Sequence, residues 1–330
     1  MNLSLPSVLI TGANGFVGTR LCLRLLGEGY RVTAGVRRTS DLTSLARMDL
    51  EYRYGDINDP NSLGEMVTGV DYIVHNAGLT KARHPDDFTR VNVEGTKSLM
   101  AAVKAHNPQL KRLVYVSSVA ATGPSEPHQA RSEADQPQPI TQYGRSKLAG
   151  EQAALAYSRD FPVTAIRPPG VYGPGDREIF SFFQTVYRGL KPLIGDPNRR
   201  LNLVHVDDLC RGLALALADK ETSGEVFHIA EDRAYSMIEL VTLLQQGCGR
   251  RAFNLKLPGG LFRLIAAVSE GVFKLFGRTP MLTREKADEL LASWEVSVEK
   301  AHELLGYRSR IPFAQGAVET YQWYLKNGWL

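Results

Sequence analysis

A tyrosine and a lysine four residues apart, with a serine upstream, can move a proton onto or off a reacting oxygen. Tyr143-Gly144-Arg145-Ser146-Lys147 provides such a pair. On a helix, positions i and i+4 share a face. An ammonium at Lys147 would then favour the Tyr143 phenolate and lower its pKa from about 10. A phenol tuned in this way is a general acid or base near neutrality. The spacing alone decides little, because Tyr187 and Lys191 repeat it. Context separates the two. Ser118 follows an apolar run that ends at Ser117, and it precedes Tyr143 by 25 residues. Tyr187 has Pro192 close behind it and no comparable serine, and reads as structural or substrate-facing. Ser117 is the alternative to Ser118 by one position.

A second constellation could hold a phosphate. Thr11-Gly12-Ala13-Asn14-Gly15-Phe16-Val17-Gly18 places its glycines three and three apart. Gly12 permits a tight turn, Gly15 lets backbone approach a pyrophosphate, and Gly18 lets a helix pack close to a sheet. The helix N-terminus then offers free N–H groups and partial positive charge to an anion. A plain strand-to-helix turn is the bland alternative.

The hydrophobic pattern supplies elements to carry both constellations. Ser7–Thr11, Arg31–Val36, Glu51–Tyr54, Asp71–His75, Arg112–Ser117 and Val163–Arg167 read as strands. Gly15–Leu26, a weak Asp41–Arg47, a segment opening at Asp59-Pro60, Asp86–His106 and Gln142–Arg159 read as helices. Repeated β-α-β units call for an α/β fold, a doubly wound parallel sheet whose ligands bind at the strands' carboxyl ends. The second half differs. Pro168–Asp176 reads as a Pro/Gly loop and Val226–Ile229 as a strand. Phe180–Arg188, Val206–Ala218, Ser236–Gln246, Leu261–Phe276 and Thr283–Ser293 read as helices. The expected division gives residues 1–172 and about 201–230 to a dinucleotide-binding domain. About 173–200 and 231–330 form a smaller, mostly helical, interleaved C-terminal substrate domain.

The T-G-x-x-G-F-x-G run at 11–18 resembles the extended branch of the short-chain dehydrogenase/reductase superfamily, the NAD-dependent epimerase/dehydratase group with a Rossmann fold. Ser118, five residues before Gly123, matches that group's Ser-Tyr-Lys layout. So does Arg167-Pro168-Pro169-Gly170-Val171-Tyr172-Gly173-Pro174-Gly175, and the resemblance runs on through Leu305-Gly306-Tyr307 to Trp323-Tyr324. Nucleotide-sugar enzymes of the group usually carry Asn where Pro169 or Gly170 stands. The segment is therefore more similar to the 3β-hydroxysteroid dehydrogenase and dihydroflavonol 4-reductase side. Asn76-Ala77-Gly78 resembles the N-A-G of the shorter branch.

The resemblance implies roles. Ser118, Tyr143 and Lys147 would be catalytic. Gly12, Asn14, Gly15, Phe16, Val17 and Gly18 would cradle the cofactor, with Asp56 and Ile57 at the adenine, Ala77 along the adenosine, and Pro168 and Val171 at the nicotinamide. Asn92 would either complete a proton relay or merely bond backbone. An NAD enzyme places a carboxylate after the second strand. Here Arg37-Arg38 stands there, and guanidinium suits a phosphate, so NADP is expected and NAD is the second choice.

Composition limits the alternatives. At 43% hydrophobic and 22% charged the 330-residue chain can bury a large core. A net charge of +4 without long like-charge runs argues against nucleic acid. Three scattered cysteines argue against disulfides and structural zinc. His205 with Asp207 and Asp208 is better read as an acidic helix start than as a metal site. No signal peptide or transmembrane run is visible, so a cytoplasmic location is expected. The Leu261–Phe276 stripe could face core, roof an apolar pocket or rest on a membrane surface. The Pro-rich segment 123–139 reads as a lid, and Arg177 as either an anion binder or a solvated side chain. The expected function is an NADP(H)-dependent oxidoreductase that interconverts a ketone or aldehyde and an alcohol on a small, partly apolar molecule, with a homodimer implied by the resemblance. A sugar epimerase or dehydratase that recycles its cofactor, and a non-catalytic NAD(P)-binding regulator, are the alternatives.

Overall fold

Residues 5–82, 84–275 and 282–330 are described by a computed structural model. Strands β1 (Ser7–Thr11), β2 (Arg31–Val36), β3 (Glu51–Tyr54), β4 (Tyr72–His75), β5 (Arg112–Val116) and β6 (Val163–Arg167) join Val226–His228 in one seven-stranded sheet. Its order is Val226–His228, β6, β5, β4, β1, β2, β3, and every pairing is parallel. Strand order reverses between β1 and β4, which opens a crevice at their carboxyl ends. β1 is buried along its whole length. Val8 and Ile10 pack with Leu21, Leu25 and Leu213 on one face of the sheet, and Leu9 packs with Leu99 and Val103 on the other. That two-faced burial is why these strands read as continuous apolar runs.

Three expectations change. No helix forms at Asp41–Arg47. The Asp41 carboxylate accepts from Thr43 N at 2.9 Å and Thr43 Oγ1 at 2.6 Å, a local turn that competes with helix formation. The predicted helix Asp86–His106 exists, but with a π-helical turn at Thr89–Glu94. The second half is less helical than expected. Gly170–Tyr172 pairs with Leu203–His205, Arg200–Leu201 with Tyr235–Ser236, and Leu190–Ile194 with Phe253–Leu257.

The helix Gln142–Leu155 carries Tyr143 and Lys147. Glycines let it sit hard against its neighbours. A Cβ on Gly150 would lie 2.2 Å from the Asn92 carbonyl oxygen, and one on Gly144 would lie 2.3 Å from that of Ala120. One turn beyond Lys147, Glu151 takes a two-pronged ion pair from Arg167 at the end of β6, at 2.6 and 2.9 Å, with both side chains buried. The remaining Arg167 nitrogen, Nη1, donates to Thr122 Oγ1.

Removing one partner of a buried pair strands the other charge, at a cost of about 3–5 kcal/mol. Exposed pairs such as Arg24–Glu28 are worth about 1 kcal/mol or less. Glu151→Ala is therefore expected to lower unfolding free energy several times more than Glu28→Ala in urea titrations. Equal losses would show that the buried pair does not anchor the helix.

Candidate active site

The glycine turn is built as its spacing requires. Gly12 has φ +67°, and a Cβ there would press on Ala77 N at 3.0 Å. A Cβ on Gly18 would lie 2.2 Å from the Gly12 carbonyl oxygen, so the third glycine serves helix packing. The helix Phe16–Gly27 starts at Gly15 with no side-chain cap, so its first-turn N–H groups are left for a ligand.

A buried chain of hydrogen bonds fixes this turn against β4. Thr96 Oγ1 donates to the Asn92 carbonyl at 2.8 Å, so it accepts from His75 Nε2 at 3.1 Å. His75 Nδ1 therefore accepts from Thr11 Oγ1 at 2.8 Å, and Thr11 Oγ1 in turn accepts from Ala77 N at 3.1 Å. This order needs a neutral imidazole. Burial, helped by the Lys147 charge, pushes the His75 pKa down to about 3.

Ser117, Ser118, Tyr143 and Lys147 line the same cleft as the glycine turn. Ser118 caps the short helix Val119–Thr122 by accepting from Ala120 N at 3.1 Å. Lys147 Nζ donates to the Val116 carbonyl at 2.6 Å and lies 4.6 Å from the Tyr115 ring centre. Burial lowers its pKa to about 8, against an opposing pull from Glu151. The Tyr143 phenol does not show the lowering expected from its lysine neighbour. Burial pushes it up to about 12, with the Ser118 hydroxyl bond working against the rise and the Glu289 and Glu178 charges adding to it. The Lys147 ammonium spends its short bond on backbone, not on the phenol.

Asn14, Gly15, Phe16, Val17, Asp56, Ile57, Asn76 and Ala77 also line the cleft, as do Pro168 and Val171. Gly18 does not line it, and packs instead on the Gly12 and Ala13 backbone. The two arginines part ways. Arg37 is exposed and lines the cleft. Arg38 instead stacks on the Tyr54 ring at 5.3 Å and is not among the lining residues. Asp56 turns one carboxylate oxygen to its own loop, accepting from Asn58 N at 2.9 Å. The Asn92 amide is consumed by Leu79 backbone and Ser146 Oγ, the backbone-bonding alternative. Tyr187 packs on Tyr321 and under Arg250, away from the cleft. Arg177 stacks over Trp329. Asp207 is clasped by Arg20, and Asp208 by Arg211 with the Arg310 and Ile311 amides. His205, Asp207 and Glu319 do approach one another, but the Arg20 guanidinium already neutralises Asp207.

Segment 123–139 is not a lid. Its backbone bonds to Ser293, Glu295 and Ser297, its Glu133 accepts from His228 N, and none of it lines the cleft. Sequence reasoning also passed over the His75 chain, Glu151 and the aromatic lining residues Phe182, Trp294, Trp323 and Trp329. A histidine closing an otherwise apolar strand was the available signal for the first of these.

The pattern of the NAD dependent epimerase/dehydratase family matches residues 8–230. A ceramide reductase of Caulobacter vibrioides is 30% identical over 98% of this chain and 96% of its own length. A 3 beta-hydroxysteroid dehydrogenase/Delta 5-->4-isomerase of Mycobacterium tuberculosis is 30% identical over 97% and 91%. The crystal structure of DesIV, a dTDP-glucose 4,6-dehydratase of Streptomyces venezuelae with NAD and TYD bound, superposes with a TM-score of 0.78 at 27% identity over 98% of both chains.

His75 and His228 are both held neutral by burial, with pKa values near 3 against an ordinary 6.5. Between those values the unfolded chain holds protons that the folded chain refuses, so stability falls as pH falls across that window. Each group contributes a slope of up to about 1.4 kcal/mol per pH unit. A His75→Asn variant is expected to show a shallower acid dependence in denaturant titrations from pH 7 to 4. An unchanged slope would mean that His75 titrates freely.

Proposed function

This chain belongs to the NAD dependent epimerase/dehydratase family, within the extended short-chain dehydrogenase/reductases, and from that premise we propose that it is an NADP(H)-dependent ketone/alcohol oxidoreductase acting on an apolar substrate. The observation that carries the reading is one cleft lined by a glycine turn with an uncapped helix start, Arg37, the Ser118–Tyr143–Lys147 group and the aromatic side chains Phe182, Trp294, Trp323 and Trp329.

The residues fit a dinucleotide. The Gly12 and Gly15 backbone and the free first-turn amides suit a pyrophosphate. The free Asp56 oxygen suits an adenine amine, and Arg37 suits a ribose phosphate. No carboxylate follows β2 directly. When bound, such a cofactor supplies the hydride donor or acceptor. Ser118 would position the substrate oxygen by hydrogen bonding. Tyr143 would give or take its proton, and a phenol with a raised pKa stays protonated and ready to donate at neutral pH. Lys147, charged below about 8, would supply the positive field that favours a phenolate as the proton leaves. In this reading residues 1–172 and about 201–230 hold the cofactor, while about 173–200 and 231–330 shape the substrate site through Trp294, Trp323 and Trp329.

Two relatives named for ceramide and for a steroid support an apolar substrate. The likeness to DesIV, which carries NAD, supports the second reading, a nucleotide-sugar enzyme that recycles its cofactor. Pro169 and Gly170 in place of a sugar-holding Asn weigh against it.

Fluorescence titration tests the cofactor assignment. Arg37→Ala is expected to weaken NADPH roughly ten- to a hundredfold, the value of a charge-assisted phosphate contact, and to leave NADH nearly unchanged. Arg38→Ala, with its guanidinium on Tyr54, is expected to alter neither. Preference for NADH in the wild type would overturn the NADP assignment. With an apolar ketone as substrate, Tyr143→Phe is expected to lower kcat about a hundredfold or more while cofactor affinity holds. Turnover confined to nucleotide sugars would select the second reading.

A further inference from the structure

The helix Gly259–Leu275 has two apolar faces, and only one is covered. Phe262 and Ala266 are buried against Ala287 on the helix Arg284–Leu291. Leu261, Leu264, Ile265, Val268 and Val272 are exposed, Leu264 and Val268 by 59% and 57%. At 3.6 residues per turn those five fall within about 100° of arc. They do not roof the cleft, since Glu270 is the helix residue that lines it. Phe276, the end of the expected stripe, lies outside the described residues.

The strand preceding the helix carries a second group of exposed apolar side chains. Phe253 pairs with Leu190 and Leu257 with Ile194 in a two-stranded parallel ribbon. Alternation puts Phe253, Leu255 and Leu257 on one face. Leu257 and Ile194 pack on the Phe262 cluster. Phe253 is 80% exposed, and Leu255 and Leu190 are exposed beside it. Residues 186–195 and 248–262 carry five cations, Arg188, Lys191, Arg250, Arg251 and Lys256, and no carboxylate. Among the described residues none of the five has an acidic partner.

We propose that this helix face and ribbon dock the protein on an anionic lipid bilayer. An exposed apolar stripe flanked by unpaired Lys and Arg is the signature of an element lying in the membrane interface. Lipid phosphates neutralise the cations while the leucines, valines and Phe253 enter the acyl boundary. Charge decides against a second copy as occupant, because symmetric docking of this face on itself brings like cations together. No helix among the described residues is long and apolar enough to cross a membrane, so the contact is peripheral.

Co-sedimentation of the full chain with phosphatidylcholine vesicles, with and without phosphatidylglycerol, tests this. Partition is expected to be about tenfold stronger on the anionic vesicles and to weaken with salt. Leu264→Asp/Val268→Asp is expected to abolish binding, and Arg251→Glu/Lys256→Glu to reduce it about tenfold, with melting temperature and cofactor titration unchanged in both. Should the aspartate pair prevent folding, Phe253→Ser/Leu255→Ser on the exposed ribbon carries the same test. Absence of binding to either vesicle, or binding unaffected by these changes, would overturn the proposal. So would light scattering that shows a dimer converted to monomer by the aspartate pair in a protein that does not sediment with vesicles, which would assign the face to self-association.

Discussion

One ion pair out of reach of water sets the geometry of the cleft floor. Glu151 and Arg167 meet through two short contacts with both side chains buried. Desolvating two charges costs several kcal/mol each, and only close, well-directed bonds offset that. The pair thus tolerates one placement of the helix Gln142–Leu155 against β6. That placement aligns Tyr143 and Lys147 on the helix with Pro168 and Val171 just past the strand. Gly144 and Gly150 make it accessible, since a methyl at either would collide with backbone. The pair extends through Thr122 to His228, which binds the Ser297 carbonyl, so the sheet, the helix Gln142–Leu155 and the C-terminal segment share one buried polar network.

The parallel sheet was legible because its central strands are buried on both faces, and because β1, β3, β4 and β5 run into Gly12, Gly55, Asn76 and Ser117. The glycine turn was legible because its three positions answer to three separate steric demands. What could not be read depends on long-range placement. Glu151 resembles any helical glutamate until β6 supplies its arginine. His75 resembles any strand residue until Thr11 and Thr96 arrive from either side. The ribbon Leu190–Ile194 with Phe253–Leu257 is too exposed along Phe253–Lys256 to leave the buried apolar run that marked the sheet strands. Arg37 and Arg38 are adjacent in sequence, and only the local backbone shows that one meets the cleft and the other meets Tyr54.

The electrostatic setting of the cleft follows from burial more than from pairing. Tyr143 rises to about 12 and Lys147 falls to about 8, both displaced toward their neutral forms, as expected where solvent is excluded. His75 behind them stays neutral, so its charge does not vary under physiological conditions. The proton-active groups at this site are therefore few, and the surrounding polar atoms act as fixed dipoles that stay in place when a proton moves.

Arg37 has a consequence for how such a protein can diversify. Its guanidinium is engaged by no ion pair among the described residues, and no core packing depends on it. Tyr143, by contrast, rides on a helix wedged by glycines and a buried charge pair. On the proposed role of Arg37, substitutions there would alter which dinucleotide is favoured at almost no cost in folding, while substitutions around Tyr143 threaten the fold itself. Cofactor choice, on that reading, and integrity of the fold would rest on separate residues, each free to change without the other.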